Sequence, residues 1–390
     1  MRHVFITQDY PPDRGGIARR HVELCRRISP EPVVVSTVAA PDAEAFDRGE
    51  SYRIVREAFP FDRAKLLQNQ IQWARTLASL SREADIVHCG NIRPAGYPSW
   101  WVHARYGTPY LLYVNGLDLM RERQKAEGWL KRRTARAIFG NAAGIVANST
   151  WTAELSRIVM RELRIRRAPP VRAIDLGTDP KQFNPRNDTG TLRRRFGIGD
   201  APLLVTVARL MPHKGQDVAL TALAKLRAKR PSVRYLVVGD GPDESRLRGI
   251  VRQLGLENAV HFAGALDDAE VAEAYATATL YVGLSRIENN MDVEGFGIAF
   301  VEAGASGAAV VAGDSGGVRS AVRDGETGVL VPPRDVERAA EMIGSLLDDE
   351  GRRRAMGEAG RAAVERYYNW DRVAEDTKAF AREVAARVRL

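Results

Sequence analysis

The sequence predicts an α/β protein that contains two doubly wound, Rossmann-like domains. Short apolar runs rich in β-branched residues alternate with longer amphipathic stretches almost throughout the chain, which is typical of βαβ units and parallel sheets. The length of 390 residues exceeds what a single domain of roughly 150 residues accounts for. A proline-rich segment near the middle separates two halves of similar plan.

The predicted strands follow one another at similar spacing in both halves. In the first half they are His3–Thr7, Pro32–Val38, Asp85–His88, Pro109–Val114, Gly144–Asn148 and Val171–Ile174. In the second half they are Leu203–Ala208, Arg234–Val238, Val260–Phe262, Leu280–Val282, Ala308–Val311 and Gly328–Val331. The amphipathic stretches between them are predicted to be the crossover helices of parallel sheets.

The domain boundary is predicted within residues 168–185, which contain four prolines, because neither a helix nor a central strand runs far through prolines. The first domain then spans residues 1–175 and the second residues 176–370. From Val336 the pattern is mostly helical, with long amphipathic segments at Gly351–Tyr367 and Trp370–Val388. Ligands of open α/β sheets bind outside the carboxyl ends of the strands, so a cleft between the two domains is the expected site.

Composition excludes several classes of protein. No apolar run approaches the roughly 18 residues of a membrane-spanning helix, since the best candidate, Ile298–Ala312, is interrupted by Glu302. The cysteines, Cys25 and Cys89, lie 64 positions apart without a Cys-x-x-Cys pair, and they indicate neither a disulfide framework nor a zinc site. The N-terminus lacks the apolar core of a secretory signal. A cytoplasmic protein is expected.

The net charge of +9 is concentrated in the first half of the chain. Residues 1–180 hold 28 Lys and Arg against 19 Asp and Glu, whereas the remaining residues hold 30 of each. Residues 121–172 alone contain 13 basic and four acidic residues. This concentration of basic residues favours an anionic partner. The candidates are a membrane surface, a phosphorylated substrate and nucleic acid. The alternative is a solvated helix face without a partner.

A glycine pair, Gly15-Gly16, follows the first predicted strand. Glycine lets a ligand approach the backbone closely, and the helix expected to begin near Ile17 presents unpaired N–H groups to an anion. A tight turn without a ligand explains the pair equally well. The pattern Gly-x-Gly-x-x-Gly is absent both here and at Gly239-Asp-Gly, so the sequence does not favour a nicotinamide dehydrogenase.

Two basic residues stand at the corresponding place in the second half. Arg209 follows the first predicted strand of that half and Lys214 precedes a helix. A fork-shaped guanidinium and a point charge can converge on a diphosphate. Lone basic residues in loops are usually solvated, but two of them at the first strand end of a Rossmann-like half are better candidates.

Two glutamates mark a third candidate segment. Glu302 lies in a run that otherwise predicts a buried helix, and an unpaired buried carboxylate is unfavourable. Glu294 stands in a loop just before Gly295-Phe-Gly297, where the amides of Phe296 and Gly297 would face the same ligand. Both carboxylates could reach one elongated polar ligand at different points. The alternative is a charge that complements the helix dipole and a Glu302 with a structural partner.

In combination these residues resemble glycosyltransferase family 4, whose members are retaining enzymes of the GT-B fold. The resemblance covers nearly the whole chain and includes bacterial phosphatidylinositol mannosyltransferases among the similar members. It rests on Gly15-Gly16, Arg209 with Lys214-Gly215, Val237-Val-Gly-Asp-Gly-Pro242, Glu294-Gly-Phe-Gly297 with Glu302, Ser315-Gly-Gly-Val318 and Asp324-Gly-Glu-Thr-Gly-Val-Leu-Val331.

The resemblance implies a role for each matching residue. Arg209 and Lys214 would hold the diphosphate of a nucleotide-sugar donor, with help from the amide of Gly16. Glu302 would accept hydrogen bonds from the ribose, and Glu294 with the amides after it would bind hydroxyls of the transferred sugar. The base would lie near Gly264 and Leu266. A helix over about residues 371–390 would pack back on the first domain.

One departure from the family pattern concerns Asn115. Many relatives carry a His-Gly pair where this chain has Asn115-Gly116, and an amide can hydrogen-bond a hydroxyl but cannot shuttle a proton. The identity of the donor sugar and any mechanism that uses a histidine are therefore open. A simple Asn-Gly turn is the alternative.

The resemblance predicts a metal-independent hexosyltransferase that uses GDP-mannose or a UDP-sugar and a hydroxyl acceptor, anionic or linked to a lipid. Residues 121–172 would face an anionic membrane on its inner side. Two alternatives stay open: a glycosidase with two carboxylates, and a polyanion-binding protein without transfer activity. Nucleic acid is not favoured, because few aromatic residues interleave with the basic ones. The sequence leaves open the nucleotide, acceptor, linkage and oligomeric state.

Overall fold

The computed structural model describes residues 1–13, 15–58, 66–125, 128–289 and 291–389. Within these ranges the chain forms two compact units. Unit 1 comprises residues 1–176 together with the chain from residue 370 onward, and unit 2 comprises Gly177–Asn369. The predicted boundary after residue 175 lies one residue from this division. Two positions of the basic stretch, 126 and 127, lie outside the described residues.

Over its described residues, unit 1 is built around one parallel sheet of seven strands. Its strands are β1 (His3–Ile6), β2 (Val33–Val38), β3 (Arg53–Glu57), β4 (Ile86–Cys89), β5 (Tyr110–Val114), β6 (Gly144–Ala147) and β7 (Val171–Ala173). Its helices before the boundary are α1 (Gly16–Ile28), α2 (Ala43–Arg48), α3 (Leu66–Leu80), α4 (Gly96–Tyr106), α5 (Leu117–Lys125), α6 (Trp129–Gly140) and α7 (Thr150–Glu162).

The strand order in unit 1 is β3-β2-β1-β4-β5-β6-β7. The central strands β1, β4, β5 and β6 are buried along their whole length, as expected when helices cover both faces of a parallel sheet. The order reverses beside β1, so the carboxyl ends of β1 and β4 lie at a topological switch point, where doubly wound sheets bind ligands.

Unit 2 repeats this plan with six parallel strands. They are β8 (Leu203–Val207), β9 (Arg234–Val238), β10 (Val260–Gly264), β11 (Leu280–Gly283), β12 (Ala309–Gly313) and β13 (Gly328–Val331), in the order β10-β9-β8-β11-β12-β13. The helices are α8 (Thr191–Arg195), α9 (Gln216–Arg227), α10 (Glu244–Gln253), α11 (Asp268–Ala276), α12 (Ile298–Ala305), α13 (Val318–Ala321), α14 (Val336–Asp348) and α15 (Glu350–Arg366). Short 3-10 turns occur at Pro185–Asn187 and Pro212–Lys214.

The twelve strands predicted from the sequence are all present, with ends that differ by at most two residues. Strand β3 was not predicted. Its sequence, Arg53-Ile-Val-Arg-Glu57, places charged residues at three of five positions, and the strand lies at the edge of the sheet beside β2 alone. The edge strands β7, β10 and β13 were predicted, so the charged sequence of β3, and not its edge position alone, explains why it was missed.

The helix α16 (Trp370–Arg389) belongs to unit 1, where it packs on α1. Arg27 bonds Asp371 at 2.7 Å, and Arg172 bonds Glu383 at 2.6 Å. The ring of Phe380 packs so tightly on β6 that a Cβ on Gly144 would lie 2.8 Å from it. A small residue at position 144 therefore lets α16 approach the sheet.

Both cysteines, Cys25 and Cys89, are buried and free. Over the described ranges, no helix combines the length and the apolar character that crossing a bilayer requires.

Candidate active site

A cavity of about 210 Å³ in unit 2 is lined by four of the site residues predicted in the second half of the sequence, namely Lys214, Glu294, Gly297 and Glu302. It lies at the carboxyl ends of β8 and β11 and beside the start of α12. The start of α12 contributes its N-cap, Gly297, and its first residues, Ile298 and Ala299. The polar side chains of the wall are those of Lys214, Glu294, Glu302, Thr206, Tyr275, Tyr281 and Ser285.

Lys214 and Glu294, 80 positions apart in the chain, form an ion pair in this cavity. The Nζ atom of Lys214 lies 2.5 Å from Oε2 of Glu294, and both side chains are about four-fifths buried, with exposed fractions of 21% and 18%. A cation that can bind phosphate and a carboxylate that can bind hydroxyls thus occupy adjacent positions. A donor that used both groups would replace this ion pair.

Gly215 fixes the approach of the Lys214 turn to β11. Its φ is +75°, and a Cβ at this position would lie 1.9 Å from the carbonyl oxygen of Leu284. Only glycine fits a left-handed conformation with so close a backbone contact. The turn that carries Lys214 is therefore held against the segment that leads to Glu294.

The Ser315-Gly-Gly-Val318 motif packs against the backbone of Glu294. The amide of Gly317 donates a hydrogen bond of 2.8 Å to the carbonyl oxygen of Glu294. Gly316 has a φ of +57°, and a Cβ there would lie 2.5 Å from the same oxygen. This motif, which the sequence offered only as a family signature, has a structural role in placing the carboxylate.

A buried arginine anchors the other end of the Glu294 loop. Arg286, 5% exposed, binds Asp217 through two hydrogen bonds of 2.7 and 3.0 Å and Glu288 through one of 2.6 Å. Desolvation opposes ionisation of Asp217, but the hydrogen bonds and charge of Arg286 outweigh it and lower the pKa of that carboxyl group. The network ties the loop to the first turn of α9.

Glu302 is buried on α12, as the sequence predicted for its helix. The hydroxyl of Tyr275 donates a hydrogen bond of 2.8 Å to its Oε2 atom. Desolvation, followed by the charges of Glu294 and Glu302, raises the pKa of Tyr281, so that phenol stays protonated at neutral pH. Two phenols and a carboxylate make this wall of the cavity suited to hydroxyl ligands.

The start of α12 adds backbone donors to the cavity. Among the described residues no side chain caps this helix, which follows Gly297, so the N–H groups of its first turn can bind an oxygen-rich ligand. The side chain of Phe296 is buried, with its ring 6.2 Å from that of Tyr368. Gly295 is also buried. These residues can contribute to the site only through their backbone.

Five predicted residues of unit 2 lie outside the cavity wall: Gly295 and Phe296, described above, and Arg209, Gly264 and Leu266. Arg209 is exposed two residues beyond β8, and its segment is held by a hydrogen bond of 2.7 Å from the amide of Leu210 to the carbonyl oxygen of Asp240. Gly264 ends β10, and Leu266 is buried in the core. A ligand at this edge would contact Leu266 through its backbone.

The remaining predicted residues belong to unit 1. Gly15 is the N-cap of α1 and Gly16 is its first residue. Asn115 follows β5, and Asp118 accepts hydrogen bonds of 2.9 Å from the amide of Asn115 and 2.8 Å from that of Leu119. Desolvation raises the pKa of Asp118 to about 6 despite these hydrogen bonds. The carboxylate thus organises the backbone of the Asn-Gly turn.

Sequence reasoning missed a buried polar cluster behind this turn. The guanidinium of Arg20 lies 4.6 Å from the ring centre of Tyr113 and has no hydrogen-bond partner in the described part of the chain. Burial lowers its pKa to about 10. His88 bridges Tyr113 at 2.8 Å and His3 at 2.9 Å. Polar residues inside predicted central strands were the available signal.

Tyr275, Tyr281 and Ser285 were also missed at the unit 2 cavity. Tyr281 sits within a predicted strand and Tyr275 ends an amphipathic helix, so both resemble ordinary core residues in the sequence. Among the described residues, no group of three or more His, Cys, Asp or Glu side chains is arranged to hold a metal ion.

Two parallel sheets with interleaved helices, and a cavity that combines a cation with two carboxylates, define a GT-B glycosyltransferase. Residues 14–180 match the family described as Glycosyltransferase Family 4, and residues 188–363 match Glycosyl transferases group 1. The chain belongs to glycosyltransferase family 4 and is a nucleotide-sugar-dependent hexosyltransferase. This assignment decides against the glycosidase and the polyanion-binding protein as its function.

Named relatives agree with the family. A GDP-mannose-dependent alpha-(1-6)-phosphatidylinositol monomannoside mannosyltransferase of Mycobacterium tuberculosis is 30% identical over 98% of each chain. A D-inositol 3-phosphate glycosyltransferase of Acidothermus cellulolyticus is 32% identical over 73% of this chain and 64% of its own. The structure of Anabaena HepE in complex with UDP has a TM-score of 0.80 at 20% identity, covering 98% of this chain and 100% of that one, which shows the shared fold.

Proposed function

We propose that the protein transfers mannose from GDP-mannose to an acceptor that contains inositol phosphate. The relative that is 30% identical over 98% of each chain is named as GDP-mannose-dependent. The two kinds of relative described above are named for acceptors that share an inositol phosphate group. The observation that carries the proposal is the cavity in which Lys214, Glu294 and Glu302 meet.

In the proposed mechanism the chain stabilises the leaving diphosphate. Lys214 and Arg209 place positive charge where negative charge develops on the departing nucleotide, and such preorganised charge is the largest catalytic contribution in many enzymes. Glu302 binds the ribose, and Glu294 binds hydroxyls of the mannose. The configuration at the sugar is retained, because the acceptor oxygen bonds to the anomeric carbon on the face from which the diphosphate departs, and the departing phosphate takes the acceptor's proton there. With these cations in place the reaction requires no metal ion.

A ligand screen tests the donor. GDP, UDP, ADP and their sugar conjugates are compared by thermal shift at fixed salt, because a ligand of the native state raises the apparent melting temperature. GDP and GDP-mannose are expected to give the largest shifts, with and without EDTA. In the Glu302→Gln variant the GDP shift should fall, since a hydrogen bond to a charged group is worth about 1.5–3 kcal/mol. A larger shift with UDP would reject GDP-mannose as donor.

We also propose that unit 1 binds an anionic membrane on its inner face through the start of α6. Trp129 and Leu130 are exposed by 74% and 58%, and Lys131 and Arg133 beside them are exposed. Exposed aromatic and basic side chains on one helix suit an anionic leaflet. Two other basic residues of the stretch have internal partners. Arg132 and Arg136 donate hydrogen bonds to the carbonyl oxygens of Glu162 and Leu163, respectively, at the end of α7.

Vesicle binding tests this surface. The triple variant Trp129→Ser, Lys131→Ser, Arg133→Ser should bind less to vesicles that contain phosphatidylinositol than the wild type does. The matched control removes one exposed leucine and two exposed cations from unit 2, as Leu254→Ser, Lys229→Ser and Arg252→Ser. Equal loss in both variants would indicate a general charge effect and reject the surface.

A further inference from the structure

Unit 1 contains an apolar groove that the chemistry of sugar transfer does not use. It lies between α3, α4 and α6 and has a volume of about 580 Å³, within the range of roughly 300–1,000 Å³ that is usual for small-molecule sites. Its walls are mostly apolar, from Leu67, Ile71, Ala74, Trp100, Trp101 and Leu130.

The groove coincides with a concentration of exposed apolar side chains. Leu67, Ile71, Trp101 and Leu130 are exposed by 76%, 46%, 40% and 58%, and all four line it. A folded protein keeps large contiguous apolar surface in contact with water only at a cost, and such patches mark binding sites. The exposure of these apolar side chains therefore indicates that the groove binds an apolar ligand.

Two cations share the walls of this groove. Arg75 on α3 and Lys131 on α6 line it, and in the described part of the chain neither forms an ion pair. An apolar channel with unpaired cations is complementary to an amphiphile that has an apolar chain and an anionic group. An uncharged apolar ligand would leave both cations without a role.

The groove is connected within unit 1 to the carboxyl edge of the sheet. Arg93, in the loop after β4, binds Glu122 on α5 at 2.7 Å and the carbonyl oxygen of Lys131 on α6 at 3.1 Å. Its guanidinium also lies 4.9 Å from the ring centre of Tyr97, which lines the groove. The loop that follows β4 at the switch point of the sheet thus holds one wall of the groove.

We propose that this groove holds one acyl chain of a phospholipid acceptor, with its phosphate near Arg75 and Lys131. The proposal rests on the function proposed above, in which the acceptor contains inositol phosphate. It selects phosphatidylinositol-type lipids over free inositol phosphate as the acceptor class. The groove binds a single acyl chain. It is distinct from the proposed membrane contact of Trp129, because Trp129 does not line the groove.

Transfer to acceptors of graded chain length tests the groove. The acceptors are phosphatidylinositols with progressively longer acyl chains, each kept below its critical micelle concentration, with GDP-mannose as donor. In the wild type, kcat/KM is expected to rise by up to about fourfold per added methylene while the chain fits, the factor that corresponds to full burial of one methylene group. The double variant Trp101→Ser, Leu130→Ser should flatten this rise.

Two further variants separate the groove from general surface effects. Leu254→Ser removes a side chain of unit 2 that is 37% exposed, and it should keep the wild-type dependence on chain length. Ile71→Asn alters the groove from α3 and should flatten the dependence, even if the double variant does not fold. An unchanged dependence in Ile71→Asn or a flat wild-type profile would overturn the proposal.

A binding measurement makes the test independent of transfer. A phosphatidylinositol with a brominated acyl chain should quench tryptophan fluorescence in the absence of donor, and Trp101→Phe should reduce the quenching. Quenching that Trp101→Phe reduces, without transfer to any acceptor, would support the groove and reject the proposed function. Absence of quenching in the wild type would reject the groove, whatever acceptor the enzyme uses.

Discussion

In the unit 2 cavity, the Nζ atom of Lys214 lies 2.5 Å from Oε2 of Glu294. Each side chain neutralises the other before any donor is bound. A donor therefore has to replace the ion pair with its own diphosphate and hydroxyl groups. The free energy that Lys214 or Glu294 contributes to donor binding is therefore reduced by the loss of their ion pair.

This relationship predicts opposite effects of Glu294→Gln on binding and on transfer. Removal of the carboxylate charge frees Lys214, so GDP should bind at least as tightly as to the wild type. Transfer of mannose should fall by about 100-fold or more, as expected for loss of a group that acts in the transition state. Calorimetry with GDP and single-turnover kinetics would measure the two quantities. Weaker GDP binding would contradict the prediction.

Tyr275→Phe should weaken nucleotide binding without unfolding the protein. The variant removes the hydrogen bond of 2.8 Å to Glu302, whose carboxylate is then less well oriented. A hydrogen bond to a charged group contributes about 1.5–3 kcal/mol, so the Kd for GDP should rise by roughly tenfold or more. Tyr110→Phe is the control, because it removes a buried hydroxyl from unit 1. If both variants behave alike, the Tyr275 bond has no special role.

Gly316→Ala should lower transfer more than an equally strained substitution elsewhere. Both Gly316 and Gly325 have positive φ, of +57° and +77°, but a Cβ at Gly325 meets open space, whereas one at Gly316 would lie 2.5 Å from the Glu294 carbonyl oxygen. Each variant should lose about 1–2 kcal/mol from left-handed strain. Only Gly316→Ala should also displace Glu294 and reduce kcat, which thermal melts and steady-state rates would show.

Asp118→Asn should change how stability depends on pH. The pKa of Asp118 is about 6 in the folded protein against an ordinary value of 3.8, so the folded state binds its proton more tightly than the unfolded state. The contribution of Asp118 to the free energy of unfolding therefore falls by up to about 3 kcal/mol as pH rises from about 4 to 6. Above about pH 6 it no longer changes. The difference in unfolding free energy between wild type and variant, measured by urea titration, should follow this course. A difference independent of pH would contradict it.

The sequence predicted every described strand except β3, and the predicted set includes the edge strands β7, β10 and β13. Central strands such as Tyr110–Val114 are continuous apolar runs because they are buried on both faces. The charged edge strand Arg53–Glu57 lacks this signal. Helix α12 was predicted because its run from Ile298 to Ala305 is apolar apart from Glu302.

At the candidate site, the sequence indicated which residues matter but not which atoms meet. Lys214, Glu294 and Glu302 were assigned to one ligand, and they line one cavity. The ion pair between Lys214 and Glu294 could not be predicted from the sequence. It depends on the close packing of the Lys214 turn against the end of β11, which the glycine at position 215 allows. The internal bonds of Arg132 and Arg136 were equally hidden, since exposed and paired arginines look the same in a sequence.

The position of α16 has a consequence for how the protein is made. Unit 2 is one continuous segment and leaves the ribosome whole, whereas unit 1 needs a helix that is synthesised after all of unit 2. Until then, the surface of α1 and β6 that α16 covers is open to water, and such transient apolar surface attracts chaperones or promotes aggregation. A fusion or truncation close to α16 would therefore impair the folding yield of the amino-terminal unit, although it is made first.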